Sequence, residues 1–161
     1  IGMRYVEGLK SVEGGYNRTG SRSPMQWDDS TNAGFSSAPA SDLYIAMDPD
    51  KDRPTAKKEM AAPDSLYHEV KKLIRIRQSH KALQSRGKIT FVYAEKNTYP
   101  LAYIREDGDE KILVIINAAA EAKTFACDAE PKEAIYNFGA AAEAKNGKIT
   151  VPAQSAGFYR I

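Results

Sequence analysis

The sequence is short of cysteine, histidine and tryptophan, and each shortage excludes a class of chemistry. Its one cysteine, Cys127, has no internal partner for a disulfide, and a lone thiol suits a reducing compartment, so the cytoplasm is the expected location. Its two histidines, His68 and His80, have no Cys at zinc spacing, which argues against a metal site. Both read as surface residues on or just past one helix. No Gly-x-Ser-x-Gly elbow occurs, and neither Gly-Lys pair, at 87 and 147, continues into Ser or Thr, so serine-hydrolase and phosphate-loop readings lapse and no cofactor is expected. The longest strongly apolar run, Ile112 to Ile116, falls far below the roughly 20 residues of a membrane helix. A formal charge of +2 is too small to point to nucleic acid or an anionic membrane. The N-terminus, Ile-Gly-Met-Arg-Tyr-Val, lacks an initiating Met, a basic n-region and an apolar h-region, and reads as a cut made inside a longer protein.

What is present suits a soluble globular chain. With 161 residues, 42% of them apolar and 27% charged, it can bury one core, or one core and part of another. From Ile1 to about Pro63 the chain shows little period, with scattered Gly and Pro among Ser, Asn and Asp. That is loop chemistry, and so long a loop in a compact domain implies packing against something else, expected upstream. Next, Leu66, Val70, Leu73, Ile74 and Arg77 fall at helical spacing behind Asp64 as an N-cap, predicting a helix over about 64–79 whose apolar stripe faces a core. The interleaved "KKLIRIR" fits the solvated face of that helix better than a nucleic-acid or membrane segment. After Gly87 the period becomes two, and seven short runs, separated by Asp107-Gly108 and Asn146-Gly147 among other turns, predict an antiparallel sandwich.

Three stretches could carry chemistry. Asp28 and Asp29 are adjacent, so an extended backbone points them apart, and turn formation explains them better than an acid and nucleophile pair. "DPDKDRPTAKKE", Asp48 to Glu59, has acids where a calcium loop carries ligands, but Arg53 stands where that loop needs Gly, and a solvated charged loop is the better reading. "RSPMQWDDSTNAGFS", 22 to 36, joins a guanidinium fork to the only indole, a combination that suits a sugar ring. On composition alone, a structural Trp27 and a surface ion pair at Arg22 outweigh ligand binding.

That last stretch closely resembles the Arg-[Ser/Thr]-Pro-Met-Gln-Trp-[Asp/Ser] signature of α-glucosidases, oligo-1,6-glucosidases and trehalose synthases of glycoside hydrolase family 13, the α-amylase superfamily. "DLYIAMDPDKDRPT", "DSLYHEVKKLIRIRQSHKAL" and "GKITVPAQSAGFYRI" extend the resemblance over essentially the whole chain. It implies an α+β arrangement: residues 1–86 as the end of a (β/α)8 barrel, with an active-site loop over 1–63 and the last barrel helix over about 64–79, then a Greek-key β-sandwich over 87–161. It places Ile1 just after the eighth barrel strand, so that the nucleophile, the acid/base and the second Asp of the family all lie on an absent upstream barrel. No catalytic residue is then expected in this chain. Arg22 would hold the outer hydroxyls of a terminal glucose, and Met25, Gln26 and Trp27 would support that wall. The substrate would be an α-glucoside or maltooligosaccharide, processed with retention from the chain end. Ala46 stands where Pro is expected, Ala56-Lys-Lys-Glu59 stands where something nearer Val-x-x-Gln is, and Leu43-Tyr44 leans toward the trehalose-synthase-like branch. A second reading makes the chain a free-standing carbohydrate-binding or barrel-stabilising module, with Tyr93, Tyr99 and Tyr103 as an aromatic row on the sandwich.

Overall fold

A computed structural model describes residues 23–161, and Arg22 lies outside them. The chain divides into two compact units, Ile1–Lys71 and Lys72–Ile161.

In the first unit, short 3-10 turns at Thr31–Gly34 and Ala40–Asp42 lead to helix α1, Ala56–Ala61. This helix corrects the expectation of an unbroken loop up to Pro63. Its signal is a capping Thr55 ahead of Ala, Lys, Lys, Glu, Met and Ala, all good helix formers. The acids of the calcium-like stretch serve the backbone: Asp48 Oδ1 accepts the Asp50 N–H at 2.8 Å and Asp50 Oδ1 accepts that of Asp52 at 2.9 Å.

Helix α2, Leu66–Ser79, crosses from one unit into the other. Ser65, not Asp64, begins it: the Ser65 carbonyl receives the His68 and Glu69 N–H groups, both at 3.1 Å. The expected stripe is there, but among the described residues no core covers Leu66, Val70 or Ile74, and only Leu73 of the stripe is half-buried. α2 buries no residue, and Leu66, Val70 and Ile74 stand 73%, 45% and 52% exposed. The helical period is satisfied while the cover that would reward it is not among the described residues.

The second unit is built from eight strands: β1 Lys88–Tyr93, β2 Leu101–Asp107, β3 Glu110–Asn117, β4 Lys123–Ala126, β5 Ala134–Phe138, β6 Glu143–Lys145, β7 Lys148–Val151 and β8 Ser155–Arg160. Seven were expected. The extra one, β6, is a fully exposed edge strand of three residues, too short to show a period. The strands form an antiparallel sheet in the order β1-β2-β3-β8-β5 and a smaller one in the order β4-β7-β6. Leu113, Ile115, Ala102 and Tyr159 of the large sheet pack with Phe125, Ile149 and Val151 of the small one in a shared core. On the opposite face of the large sheet, Ile112 and Val114 pack with Ala82 from the turn after α2. Thus the apolar run of β3 is continuous because that strand is buried on both faces.

Both turn signals act as expected. Gly108 (φ +61°) closes the β2–β3 hairpin, and Asn146 and Gly147 (φ +52° and +70°) close β6–β7, where two successive left-handed residues match strand twist. Gly87 has a different reason: a Cβ there would lie 2.1 Å from the Ala82 carbonyl oxygen. The aromatic row does not form. Tyr93 packs toward the shared core, against Phe125, whereas Tyr103 lies on the other face against Phe91.

His80 also departs from expectation. Its side chain is 12% exposed, and Nδ1 lies 2.6 Å from Glu110 Oε1, so it is a partner in a half-closed cluster and no surface residue. The other carboxylate oxygen of Glu110 accepts the Ala82 N–H at 2.9 Å. Burial would raise the Glu110 carboxyl, but the Ala82 amide, the His80 ring and the Arg160 guanidinium outweigh it and hold it below the usual glutamate value. A carboxylate lowered on folding stabilises above its unfolded value of 4.5 and ceases to do so as pH falls through the lower folded value. Unfolding of the wild type should therefore show a loss of stability on acidification below about pH 4.5 that is shallower in Glu110→Gln, measured as the midpoint of thermal unfolding against pH.

Candidate functional site

The expected sugar-contacting stretch is a short extended segment ending in a tight, over-determined turn. The amides of Trp27 and Asp28 both donate to the Ala33 carbonyl, at 2.8 and 3.2 Å, and the Ala33 amide donates to Ser30 O at 2.8 Å. To close this loop the chain takes three successive left-handed residues, Asn32, Ala33 and Gly34. Gly34 is required twice over, by its φ of +72° and because a Cβ would sit 2.9 Å from Asp28 Oδ1. Asn32 stabilises its own conformation by donating Nδ2 to the Ser36 and Ala38 carbonyls, at 2.9 and 2.8 Å.

Both aspartates have local partners. Asp28 Oδ1 accepts the Ser30 hydroxyl at 2.5 Å and the Ser30 amide at 2.8 Å, and these bonds hold its carboxyl below the usual aspartate range. An acid in that state is a poor proton donor near neutrality. Asp29 pairs with Lys58 at 3.3 Å on the surface. Among the described residues no group of three His, Cys, Asp or Glu side chains could hold a metal ion.

Along the extended segment, side chains alternate. Met25 and Trp27 project outward, 49% and 51% exposed, while Gln26 between them turns inward. Its amide oxygen is buried without a hydrogen-bond partner among the described residues. The exposed indole and thioether are therefore free to meet a ligand, and the inward amide is an acceptor in waiting. Three of the four expected site residues, Met25, Gln26 and Trp27, are consecutive on this segment, and the fourth, Arg22, lies outside the described residues.

One participant escapes a sequence reading. The backbone carbonyls of Gln26 and Trp27 accept the N–H groups of Ala56 and Lys57, at 2.8 and 2.9 Å, so the segment is clamped to the start of α1. Thr55, 2% exposed, caps the same helix by accepting the Lys58 amide at 3.2 Å. Backbone carbonyls carry no residue signature, and only the Thr-then-helix-former pattern could have flagged the helix.

The model of the α-amylase catalytic domain matches residues 4–86, just over half of the chain. The chain is 30% identical over 135 residues, 84% of its length, to the glucan 1,6-alpha-glucosidase of Streptococcus pneumoniae, and 34% identical over 108 residues to the oligo-1,6-glucosidase of Parageobacillus thermoglucosidasius. The trehalulose synthase MutB of Pseudomonas mesoacidophila superposes with a TM-score of 0.73 at 29% identity over 89% of this chain and 26% of its own. This chain belongs to the α-amylase family of glycoside hydrolases, glycoside hydrolase family 13. It spans about a quarter of the first of these curated relatives and 18% of the second. No helix among the described residues is long and apolar enough to cross a membrane.

Proposed function

We propose that this chain is the C-terminal portion of a retaining enzyme that acts on terminal α-linked glucose. It supplies a substrate-binding wall, and the rest of the enzyme supplies the catalytic carboxylates. Residues 1–86 belong to the end of the catalytic barrel and 87–161 form a Greek-key sandwich. Arg22, Met25, Gln26 and Trp27 line the sugar site, with Arg22 gripping the outer hydroxyls of the terminal ring. The substrate is an α-glucoside or a short oligosaccharide, and the reaction takes place in the cytoplasm, where Cys127 remains a thiol.

The observation that carries this reading is the Met25–Trp27 segment, hydrogen-bonded to α1 with indole and thioether outward, in a chain of this family. The exposed stripe of α2 supports a second, compatible role, that of stabilising the barrel by covering it. A retaining enzyme forms a covalent glycosyl intermediate and releases the anomer it started from. The full-length enzyme acting on p-nitrophenyl α-glucoside, whose leaving group is not a sugar, should give glucose whose first-formed anomer is α, as read by proton NMR within the first minutes. First-formed β-glucose, or products cut from the middle of a longer glucan, would refute it.

A further inference from the structure

The first N–H groups of a helix have no partner within it and must find one elsewhere. In α1 these partners are divided between the loop and one buried side chain. The Ala56 amide donates to the Gln26 carbonyl, the Lys57 amide to the Trp27 carbonyl, and the Lys58 amide to Thr55 Oγ1. The first bond of the helix proper is that from the Glu59 amide to the Thr55 carbonyl, at 2.9 Å. Trp27 is consequently held by both of its backbone polar groups, its N–H on Ala33 O and its carbonyl on the Lys57 amide. Rotation of either peptide plane would swing the indole, and α1 opposes both, since the Gln26 carbonyl lies in the plane before the Trp27 Cα and the Trp27 carbonyl in the plane after it.

We propose that Thr55 and the first turn of α1 are the positioning seat of the sugar-contacting loop. Thr55 touches no sugar: it keeps the first turn wound, and the wound turn presents two amides that fix the peptide planes on either side of the Trp27 Cα. This rests on the reading of Met25–Trp27 as a sugar wall and adds a residue that sets the orientation of that wall. A helix of six residues has little stability of its own. It therefore depends on its cap, and the loop depends on the helix. The sequence separation between Trp27 and Thr55 hides this coupling from any local motif.

The test is Thr55→Val, which keeps the shape and removes the Oγ1 acceptor, with Thr55→Ser as the variant that retains it. In the 161-residue chain, hydrogen exchange at the Ala56 and Lys57 amides reports the seat directly, since neither has an acceptor within the helix. Both amides should be protected in the unaltered chain. Thr55→Val should exchange them roughly fivefold faster, the worth of one N-cap, with Thr55→Ser close to the unaltered chain. In the full-length enzyme Thr55→Val should raise KM by roughly the same factor with little change in kcat, and Thr55→Ser should recover it. Exchange of these amides at free-peptide rates in the unaltered chain overturns the seat. So does an unchanged KM in Thr55→Val when Trp27→Ala raises it. An unchanged KM in Trp27→Ala is a different failure, since it removes the sugar wall itself.

Discussion

Asn117→Ala should unfold the second unit at a temperature roughly 12 to 24 °C lower than the wild type, equivalent to about 3 kcal/mol of lost stability. Asn117 is completely buried at the end of β3. Its Nδ2 donates to the carbonyls of Glu121, Val151 and Pro152 at 2.9, 3.2 and 2.8 Å, and its Oδ1 accepts the Ala119 amide at 3.1 Å. One side chain thus ties the β3–β4 connection to the end of β7. Truncation leaves backbone carbonyls and an amide without their partner in a closed site, and each such group costs about 1 to 3 kcal/mol. Asn117→Asp should be worse, because a carboxylate brings a charge to three carbonyl oxygens and has no hydrogen to offer them. Differential scanning calorimetry of the two variants measures both effects. A shift of less than a few degrees in Asn117→Ala would mean that water or a rearranged loop replaces the amide.

The fold was legible wherever side-chain pattern and burial agree. β3 announces itself as Ile112 to Ile116 because it is buried on both faces, and the hairpins announce themselves through Asp107-Gly108 and Asn146-Gly147 because Gly108, Asn146 and Gly147 take positive φ. β6 could not be found: Glu143, Ala144 and Lys145 are all exposed, and pairing with β7 rather than burial defines them as a strand. α1 was hidden by its setting among Pro, Asp and Lys, although Thr55 and the residues after it carried a readable cap and good propensity. The period of α2 was plain, but period says only which face wants cover, not whether cover is present. His80 was misread because its partner, Glu110, lies thirty residues away, and no local pattern joins them. The resemblance singled out Met25, Gln26 and Trp27 as expected site residues, and their alternation on an extended backbone explains why the outer two are exposed. The seat on α1 was illegible for a general reason: it is made of backbone hydrogen bonds, which almost any residue can supply.

The central claim is that this chain grips the glucose whose bond is broken elsewhere in the enzyme, and Arg22 is where that grip should be strongest. A guanidinium can offer several donors at once in a fixed fork, and a hydrogen bond from a charged group is worth about 1.5 to 3 kcal/mol. Lysine offers the charge without the fork, so Arg22→Lys should recover only part of the loss. Thermal unfolding of both variants, measured alongside, separates a lost grip from a lost fold. The direct measurement is the steady-state kinetics of Arg22→Ala in the full-length enzyme with isomaltose and maltose. A fall in kcat/KM of roughly ten- to a hundredfold is the expected result. Kinetics indistinguishable from the wild type would contradict the account.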